Sequence, residues 1–221
     1  MPLLVADDRF ESYTGGWPRT ESYWDQLGQI ASGRKIAILW DGSQPNALYL
    51  FDQAPKFDLF VAEAASLAVD EEAVLVPRSM ILQKFDDGFA QLRDTIANLK
   101  TSGARHIALV GTPPPKGDLA AIRRFLNNEH YYAQIIKASG YNADNIDIIS
   151  PSVMLKIWYI AQEKYRQIAA EENVVFIAVP KAVRTEEGFL DPIYWSEDVG
   201  HANLTYGNLM RDHIASQVGK M

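Results

Sequence analysis

Residues 36–50 read IAILWDGSQPNALYL, and this stretch indicates the fold class. A short apolar run that ends at Trp40 and is followed by turn residues is typical of a buried strand in a parallel sheet. The polar turn Asp41–Gln44 comes next, and Pro45 suits the first turn of a helix. We therefore expect the strand to pass through a Gly-Ser turn into a helix over residues 45–53.

The same alternation of strand and helix continues along the rest of the chain. Further strands are predicted at 56–62, 73–77, 106–111 and 174–180. Helices are predicted at 20–33, 82–100, 119–140, 152–172 and 203–218. This order predicts an α/β protein with a central, mostly parallel five-stranded sheet and helices on both of its faces. No linker or repeat interrupts it, so we expect a single domain over 1–221, with 1–33 as a less regular N-terminal extension.

Composition excludes several classes of function. The chain has 221 residues, 48% of them hydrophobic, and a formal net charge of −7, which argues against a nucleic-acid-binding surface. It contains no cysteine, so disulfides and thiolate chemistry are excluded. No segment approaches the roughly 20 apolar residues of a membrane helix, and the first twenty residues do not read as a signal peptide. These features predict a cytoplasmic protein without a membrane partner.

Two polar segments carry residues suited to catalysis. Asp198 and His201 are three residues apart in the segment before the final helix, and a carboxylate beside an imidazole can orient a general base. Ser43 follows the first strand, and loops at the carboxyl ends of parallel strands meet at one edge of the sheet. Ser43, His201 and Asp198 could then serve as nucleophile, base and orienting group. The alternative interpretation is structural: Ser43 is a turn residue, Asp198 a capping carboxylate and His201 a surface residue.

The Asp-Gly-Ser turn and the Asp198-Val199-Gly200-His201 segment together resemble the SGNH (GDSL-type) hydrolases. The resemblance extends from about Ile36 to the end of the chain in element order, but only these two motifs match in residues. It implies a three-layer α/β/α, flavodoxin-like fold and hydrolysis of an ester, including an acetyl ester on a carbohydrate. It also implies that Ser43, His201 and Asp198 form the catalytic triad and that no metal or cofactor is needed.

The motif for the nucleophile departs from the family pattern. The family has Gly-Asp-Ser where this chain has Asp41-Gly42-Ser43. Aligning the end of the strand puts Ser43 at the nucleophile position, whereas aligning the glycine puts Gln44 there. We favour Ser43, since the side chain of Gln44 cannot attack an ester.

The usual oxyanion donors of the family also lack clear equivalents. No glycine occurs between Phe57 and Glu72, and the place of the family asparagine is taken by Pro77-Arg78-Ser79. The candidate binding residues are Gly42, Gln44, Asn46, Arg78, Ser79 and Trp195. An incomplete oxyanion hole leaves a second hypothesis open, that of a non-catalytic protein that binds a glycan or another small ligand. Acyl transfer would use the same residues as hydrolysis.

Other kinds of ligand find little support in the sequence. The four histidines show no paired metal-ligand spacing, so no metal site is predicted. The segment GTPPPKGD resembles a phosphate-binding loop only in composition, because its prolines lack the N–H groups that would hold phosphate. The predicted partner is therefore a small-molecule or carbohydrate ester, and a homo-oligomer is left open.

Overall fold

The structure is a computed structural model that describes residues 21–40, 50–51, 55–128, 132, 136 and 146–219. Its strands are β1 (Lys35–Leu39), β2 (Phe57–Asp58), β3 (Val74–Leu75), β4 (His106–Val110) and β5 (Val175–Ile177). Its helices are α1 (Glu21–Ala31), α2 (Arg78–Gly88), α3 (Ala90–Thr101), α4 (Leu119–Asn128), α5 (Pro151–Glu171) and α6 (Leu204–Val218). Short 3-10 helices lie at Ala62–Ala64, Lys181–Val183 and Pro192–Tyr194.

The strands form two parallel sheets, and the prediction of one five-stranded sheet is wrong for the part of the chain that the structure describes. β1, β4 and β5 pair in that order, with Lys35 opposite His106 and Val110 opposite Ile177. β2 and β3 pair only with each other, over two residues each. Each of the five predicted strands contains a strand, but the one predicted at 56–62 covers only Phe57–Asp58, with a 3-10 helix from Ala62, and the one predicted at 73–77 covers only Val74–Leu75.

β4 is the centre of the larger sheet because its sequence is apolar on both faces. Residues 107–110 are all buried, and their side chains alternate between two hydrophobic clusters. Ile107 and Leu109 belong to one cluster, and Ala108 and Val110 belong to the other. A strand that is apolar on both faces must be covered on both, as expected for a parallel sheet in an α/β protein.

Two helix predictions need correction. The stretch 82–100 is not one helix: α2 ends at Gly88 and α3 begins at Ala90, with Phe89 between them at φ −102° and ψ 6°. The expected apolar face is nevertheless buried, because Phe89 keeps its ring in the core and stacks on Phe85. The helix over 45–53 is wrong at its described end, since Phe51 forms an antiparallel bridge with Ile148.

The long helix α5 begins where its sequence predicts. Ser150 is the N-cap and accepts a hydrogen bond from the N–H of Val153, and Pro151 occupies the first turn. Its stripe of apolar residues is buried in the core, as its spacing predicts. The same helix carries a buried ion pair: Lys156 Nζ lies 2.9 and 3.0 Å from the carboxylate oxygens of Asp58.

The N-terminal region contains a regular helix. α1 matches the predicted helix over 20–33, and Gly33 follows it with a positive φ of 69°, which favours glycine. Ala31 at the end of α1 is fully buried in the main cluster. Across the described ranges, no helix has the length and apolar character needed to span a bilayer.

Candidate active site at the carboxyl ends of β1 and β4

The segment Ser196–Asn203, here called the Asp–His loop, lies between the last 3-10 helix and α6. Its two ends are held together by an antiparallel bridge between Trp195 and Ala202 and by a 2.7 Å hydrogen bond from the Asn203 N–H to the Tyr194 carbonyl. Asn203 is also the N-cap of α6, because its side-chain oxygen accepts the N–H of Tyr206 at 3.1 Å. The loop is therefore closed on itself and fixed to the start of a helix.

The Asp198 carboxylate makes hydrogen bonds to several groups of this loop. Its Oδ1 accepts the backbone N–H groups of Gly200 at 2.9 Å and of His201 at 2.6 Å. Its Oδ2 lies 2.5 Å from Ser196 Oγ and 3.1 Å from His201 Nδ1. The predicted contact between Asp198 and the His201 ring is present. The capping role that the alternative interpretation gave to Asp198 belongs instead to Asn203, because the N–H groups that Asp198 accepts lie within the loop.

The His201 ring is oriented by Asp198 and open to solvent. An ionised carboxylate can only accept hydrogen bonds, so His201 Nδ1 carries the proton that faces Asp198. The other ring nitrogen, Nε2, is then unprotonated in the neutral ring and can accept a proton, as a general base must. The His201 side chain is 73% exposed, so a solute can reach the ring.

Several groups act on the protonation of Asp198. Partial burial by itself would raise the pKa of the carboxyl. The hydrogen bonds from Ser196 Oγ and the His201 N–H, together with the charges of His201 and Lys116, outweigh burial, and the pKa lies below its usual value. Asp198 is therefore ionised near neutral pH, as an orienting carboxylate has to be.

Lys116 supports the Asp–His loop from inside the protein. It follows β4, its side chain is 1% exposed, and its Nζ donates to the backbone carbonyls of Ser196, at 2.8 Å, and of Asp198. Nζ also lies 3.9 Å from Asp198 Oδ1. The aromatic rings of Phe125 and Trp195 lie 4.6 and 5.9 Å from the ammonium.

The segment Pro113–Gly117 carries Lys116 and packs closely against the chain that precedes the Asp–His loop. The Pro115 carbonyl accepts the N–H of Leu190 at 3.0 Å. A Cβ at Gly117 would lie 2.7 Å from the Phe189 ring, so only glycine allows this approach. The prolines fix φ along the segment, which makes it a stiff support.

A small cavity joins the ends of β1 and β4 to helix α6. Its walls are Leu39 and Trp40 at the end of β1, residues 110–113 at the end of β4, and Tyr206 and Met210 of α6. Its volume is about 30 Å³. The helix that begins just after His201 therefore faces, across this cavity, the end of the strand that precedes the Gly-Ser turn.

Tyr206 contributes an unusual group near this cavity. The residue is 8% exposed, and its hydroxyl is buried with no hydrogen-bond partner in the described parts of the chain. Burial raises the pKa of the Tyr206 hydroxyl, so the group is neutral at physiological pH.

The structure describes five of the nine predicted site residues. Asp198, His201 and Trp195 lie together in or beside the Asp–His loop. Ser43, Gly42, Gln44 and Asn46 lie outside the described residues.

The other two predicted residues, Arg78 and Ser79, open helix α2. The Arg78 guanidinium forms an ion pair with Glu163 on α5, and Ser79 is exposed. The Trp195 indole N–H donates to the Leu190 carbonyl at 2.8 Å, so Trp195 helps to build the loop.

Two residues that contact Asp198 were missed by sequence reasoning. Ser196 stands two residues before Asp198, and Ser-x-Asp in a loop is a common local hydrogen-bonding pattern that could have been noticed. Lys116 was considered only as part of a segment that imitates a phosphate-binding loop. Nothing in its local sequence marks a lysine as buried, because its partners lie 80 and 82 residues away.

No group of three or more His, Asp or Glu side chains that could hold a metal ion occurs in the part of the chain that the structure covers. The sequence matches no protein-family model and no curated protein significantly.

Proposed function

We propose that the protein is a serine ester hydrolase with the three-layer architecture of the SGNH hydrolases, in which Ser43 is the nucleophile, His201 the base and Asp198 the orienting carboxylate. The observation that carries this proposal is the Asp198–His201 pair, with a 3.1 Å contact between Oδ2 and Nδ1 and an exposed ring. A carboxylate held below its usual pKa beside a solvent-accessible imidazole is the arrangement that general-base catalysis needs.

The reaction divides into two steps. Ser43 Oγ attacks the ester carbonyl carbon while His201 Nε2 takes the hydroxyl proton, and the tetrahedral intermediate expels the alcohol, which receives that proton from His201. A water molecule then attacks the acyl-enzyme, and His201 takes a proton from the water and returns it to Ser43 Oγ as the acid leaves. Throughout, Asp198 stabilises the charged form of the ring and holds Nδ1–H.

The cavity at the ends of β1 and β4 supports a short acyl group. Ser43 is three residues beyond Trp40, which lines the cavity together with Tyr206. A water needs about 10–15 Å³ of such space, so about 30 Å³ holds two water-sized groups, or an acetyl group, and not a long chain. Acetyl esters, including those on carbohydrates, are therefore the favoured substrates.

One observation favours a second candidate, a non-catalytic protein that binds a small ligand through the same loops. The Arg78 guanidinium is engaged by Glu163, so it does not replace a missing oxyanion donor. Loss of one such donor typically costs about 10²–10³ in rate. A binding protein on this fold needs no oxyanion hole.

Hydrolysis of p-nitrophenyl acetate, butyrate and octanoate by the wild type and by Ser43→Ala separates the two functions. We expect acetate to be the best substrate and Ser43→Ala to lose at least about a hundredfold in kcat. The matched control is Ser216→Ala, which removes an exposed hydroxyl on α6 that donates to the His213 carbonyl and is expected to leave kcat unchanged.

The outcomes of this assay are distinct. Equal activity in the wild type and Ser43→Ala, or activity in neither, contradicts the serine hydrolase and favours the binding protein. Activity that depends on Ser43 but increases with acyl chain length supports the triad and contradicts the assignment of the cavity to the acyl group.

A further inference from the structure

We propose that Lys116 is a positioning residue, whose buried ammonium fixes the backbone of the Asp–His loop and helps to keep Asp198 ionised. The claim that Lys116 assists catalysis rests on the proposed function. The claim that it fixes the loop backbone does not. The polar contacts described for Lys116 are with the Asp–His loop, so we infer that it acts on catalysis through Asp198.

The burial of Lys116 is the first argument. Lysine is rarely found fully buried, because removing an ammonium from water is costly unless it is hydrogen-bonded and faces negative charge. Here Nζ donates to two carbonyls that belong to residues 196 and 198 of one short loop. A lysine that only filled space would not need both acceptors on the loop that carries Asp198 and His201.

A second buried lysine provides a comparison within the same molecule. Lys156 is as buried as Lys116, but its Nζ contacts both carboxylate oxygens of Asp58 and one backbone carbonyl. For Lys116 the acceptors described are the backbone carbonyls of Ser196 and Asp198, and the Asp198 carboxylate lies farther away, at 3.9 Å. Lys156 neutralises a charge, whereas Lys116 holds a stretch of backbone and leaves the Asp198 oxygens to their donors in the loop.

The segment that carries Lys116 is built to hold its ammonium in place. Pro113–Pro115 fix the backbone before it, and Gly117 lets the Phe189 ring pack directly behind it. The faces of Phe125 and Trp195 add favourable cation–π contacts. The stiff segment after β4 therefore fixes the position of the Asp–His loop, although the two are far apart in the sequence.

The charge of Lys116 also acts on Asp198. The charged groups that face this carboxyl are His201 in its own loop and Lys116 from the segment after β4, and both favour its ionised form. Without Lys116, only His201 and the hydrogen bonds of the loop oppose the effect of burial.

The test compares wild type, Lys116→Met and the matched control Lys156→Met by NMR. Amide hydrogen exchange is measured at Gly200 and His201, whose N–H groups bond Asp198, and the Asp198 carboxyl is titrated through its ¹³C shift. In Lys116→Met we expect exchange at these two amides to increase about tenfold or more, the effect of losing a hydrogen bond, and the carboxyl to titrate at higher pH. Lys156→Met should lower the global stability but, under conditions in which it stays folded, leave the local exchange of these two amides and the titration of Asp198 unchanged.

A second variant separates the charge from the hydrogen bonds and covers the case in which Lys116→Met does not fold. Lys116→Gln keeps an N–H donor but no charge, so it should retain more amide protection than Lys116→Met while still raising the pH at which Asp198 titrates. The proposal is overturned if the wild-type amides of Gly200 and His201 exchange at unprotected rates. It is also overturned if the Asp198 titration is the same in the wild type and Lys116→Gln.

Ester hydrolysis distinguishes this proposal from the function on which it rests. If the wild type hydrolyses no ester, the hydrolase proposal fails, and the NMR measurements still decide the role of Lys116. If the wild type is active, Lys116→Met should lower kcat at least tenfold with little change in KM, because the base is misoriented and the acyl cavity is untouched. A purely structural role would change the activity only in proportion to the fraction of folded protein.

Discussion

Replacing Asp198 by asparagine tests the central contact of the site while keeping its shape. The amide oxygen of the introduced side chain, in the place of Oδ1, can still accept the N–H groups of Gly200 and His201. The amide nitrogen replaces Oδ2, so a donor now faces His201 Nδ1 at the position of the 3.1 Å contact. His201 is then forced to carry its proton on Nε2, the nitrogen that should act as base.

The structure separates the effect of this change on activity from its effect on stability. The wrong tautomer in a triad lowers kcat by about 10⁴, which corresponds to about 5 kcal/mol in the activation barrier. Stability should fall by only about 1–2 kcal/mol, the difference between charge-assisted and neutral hydrogen bonds. Ser196 Oγ can adapt, because it lies 3.0 Å from the His201 carbonyl and can donate there instead.

Steady-state hydrolysis of p-nitrophenyl acetate and urea unfolding of Asp198→Asn measure the two quantities. The control is Asp94→Asn, which changes an exposed aspartate on α3 and should alter neither. A kcat for Asp198→Asn within tenfold of the wild-type value would refute the reasoning, because it would mean that the orientation of the His201 ring does not limit the reaction.

Further predictions concern packing and charge in the rest of the molecule. Lys156→Met should lower the free energy of unfolding in urea by about 3–5 kcal/mol, since it leaves a buried carboxylate without its partner; a loss under about 1 kcal/mol would mean that water reaches the carboxylate. Gly117→Ala should cost about 1–3 kcal/mol in the same assay, and Phe189→Leu should restore part of this loss by making room for the new Cβ. Tyr206→Phe should raise the free energy of unfolding by about 1 kcal/mol because it removes a buried hydroxyl that has no hydrogen-bond partner among the described residues, and a decrease would indicate a bound water at that site. The lowered pKa of Asp198 stabilises the fold at pH values above the ordinary carboxyl pKa, and this stabilisation is lost as the pH falls through the pKa of the folded state. Acid unfolding, followed by circular dichroism, should therefore depend less steeply on pH in Asp198→Asn than in the wild type.

The elements that could be predicted from sequence are those in which the local pattern and the burial agree. β4 is an uninterrupted apolar run, and α5 has a cap, a proline in its first turn and a continuous apolar stripe. The break at Phe89 could not be predicted, because this residue continues the apolar spacing of the helices on both sides of it. The division into two sheets was also hidden, since the pairing of strands depends on distant partners and β2 and β3 have two residues each.

The residues of the candidate site likewise divide into those that the local sequence predicts and those whose contacts depend on the fold. The contact between Asp198 and His201 joins residues three apart, so their spacing was enough to predict it. The role of Lys116 was not predictable, because a lysine side chain gives no sign of burial until the fold brings its carbonyl partners to it. Arg78 is the opposite case. Its charge suggested a role in binding a ligand, but in the fold it forms an ion pair with Glu163.

The order of the larger sheet has a consequence for how the chain is made. β1 pairs with β4, yet β2, β3, α2 and α3 all separate the two strands along the chain. During synthesis β1 therefore leaves the ribosome long before its partner, and Ile38, which is buried in the folded protein, stays exposed until β4 is made. Contacts between such distant segments slow folding, so we expect a nascent chain that stops before β4 to be a target for chaperones.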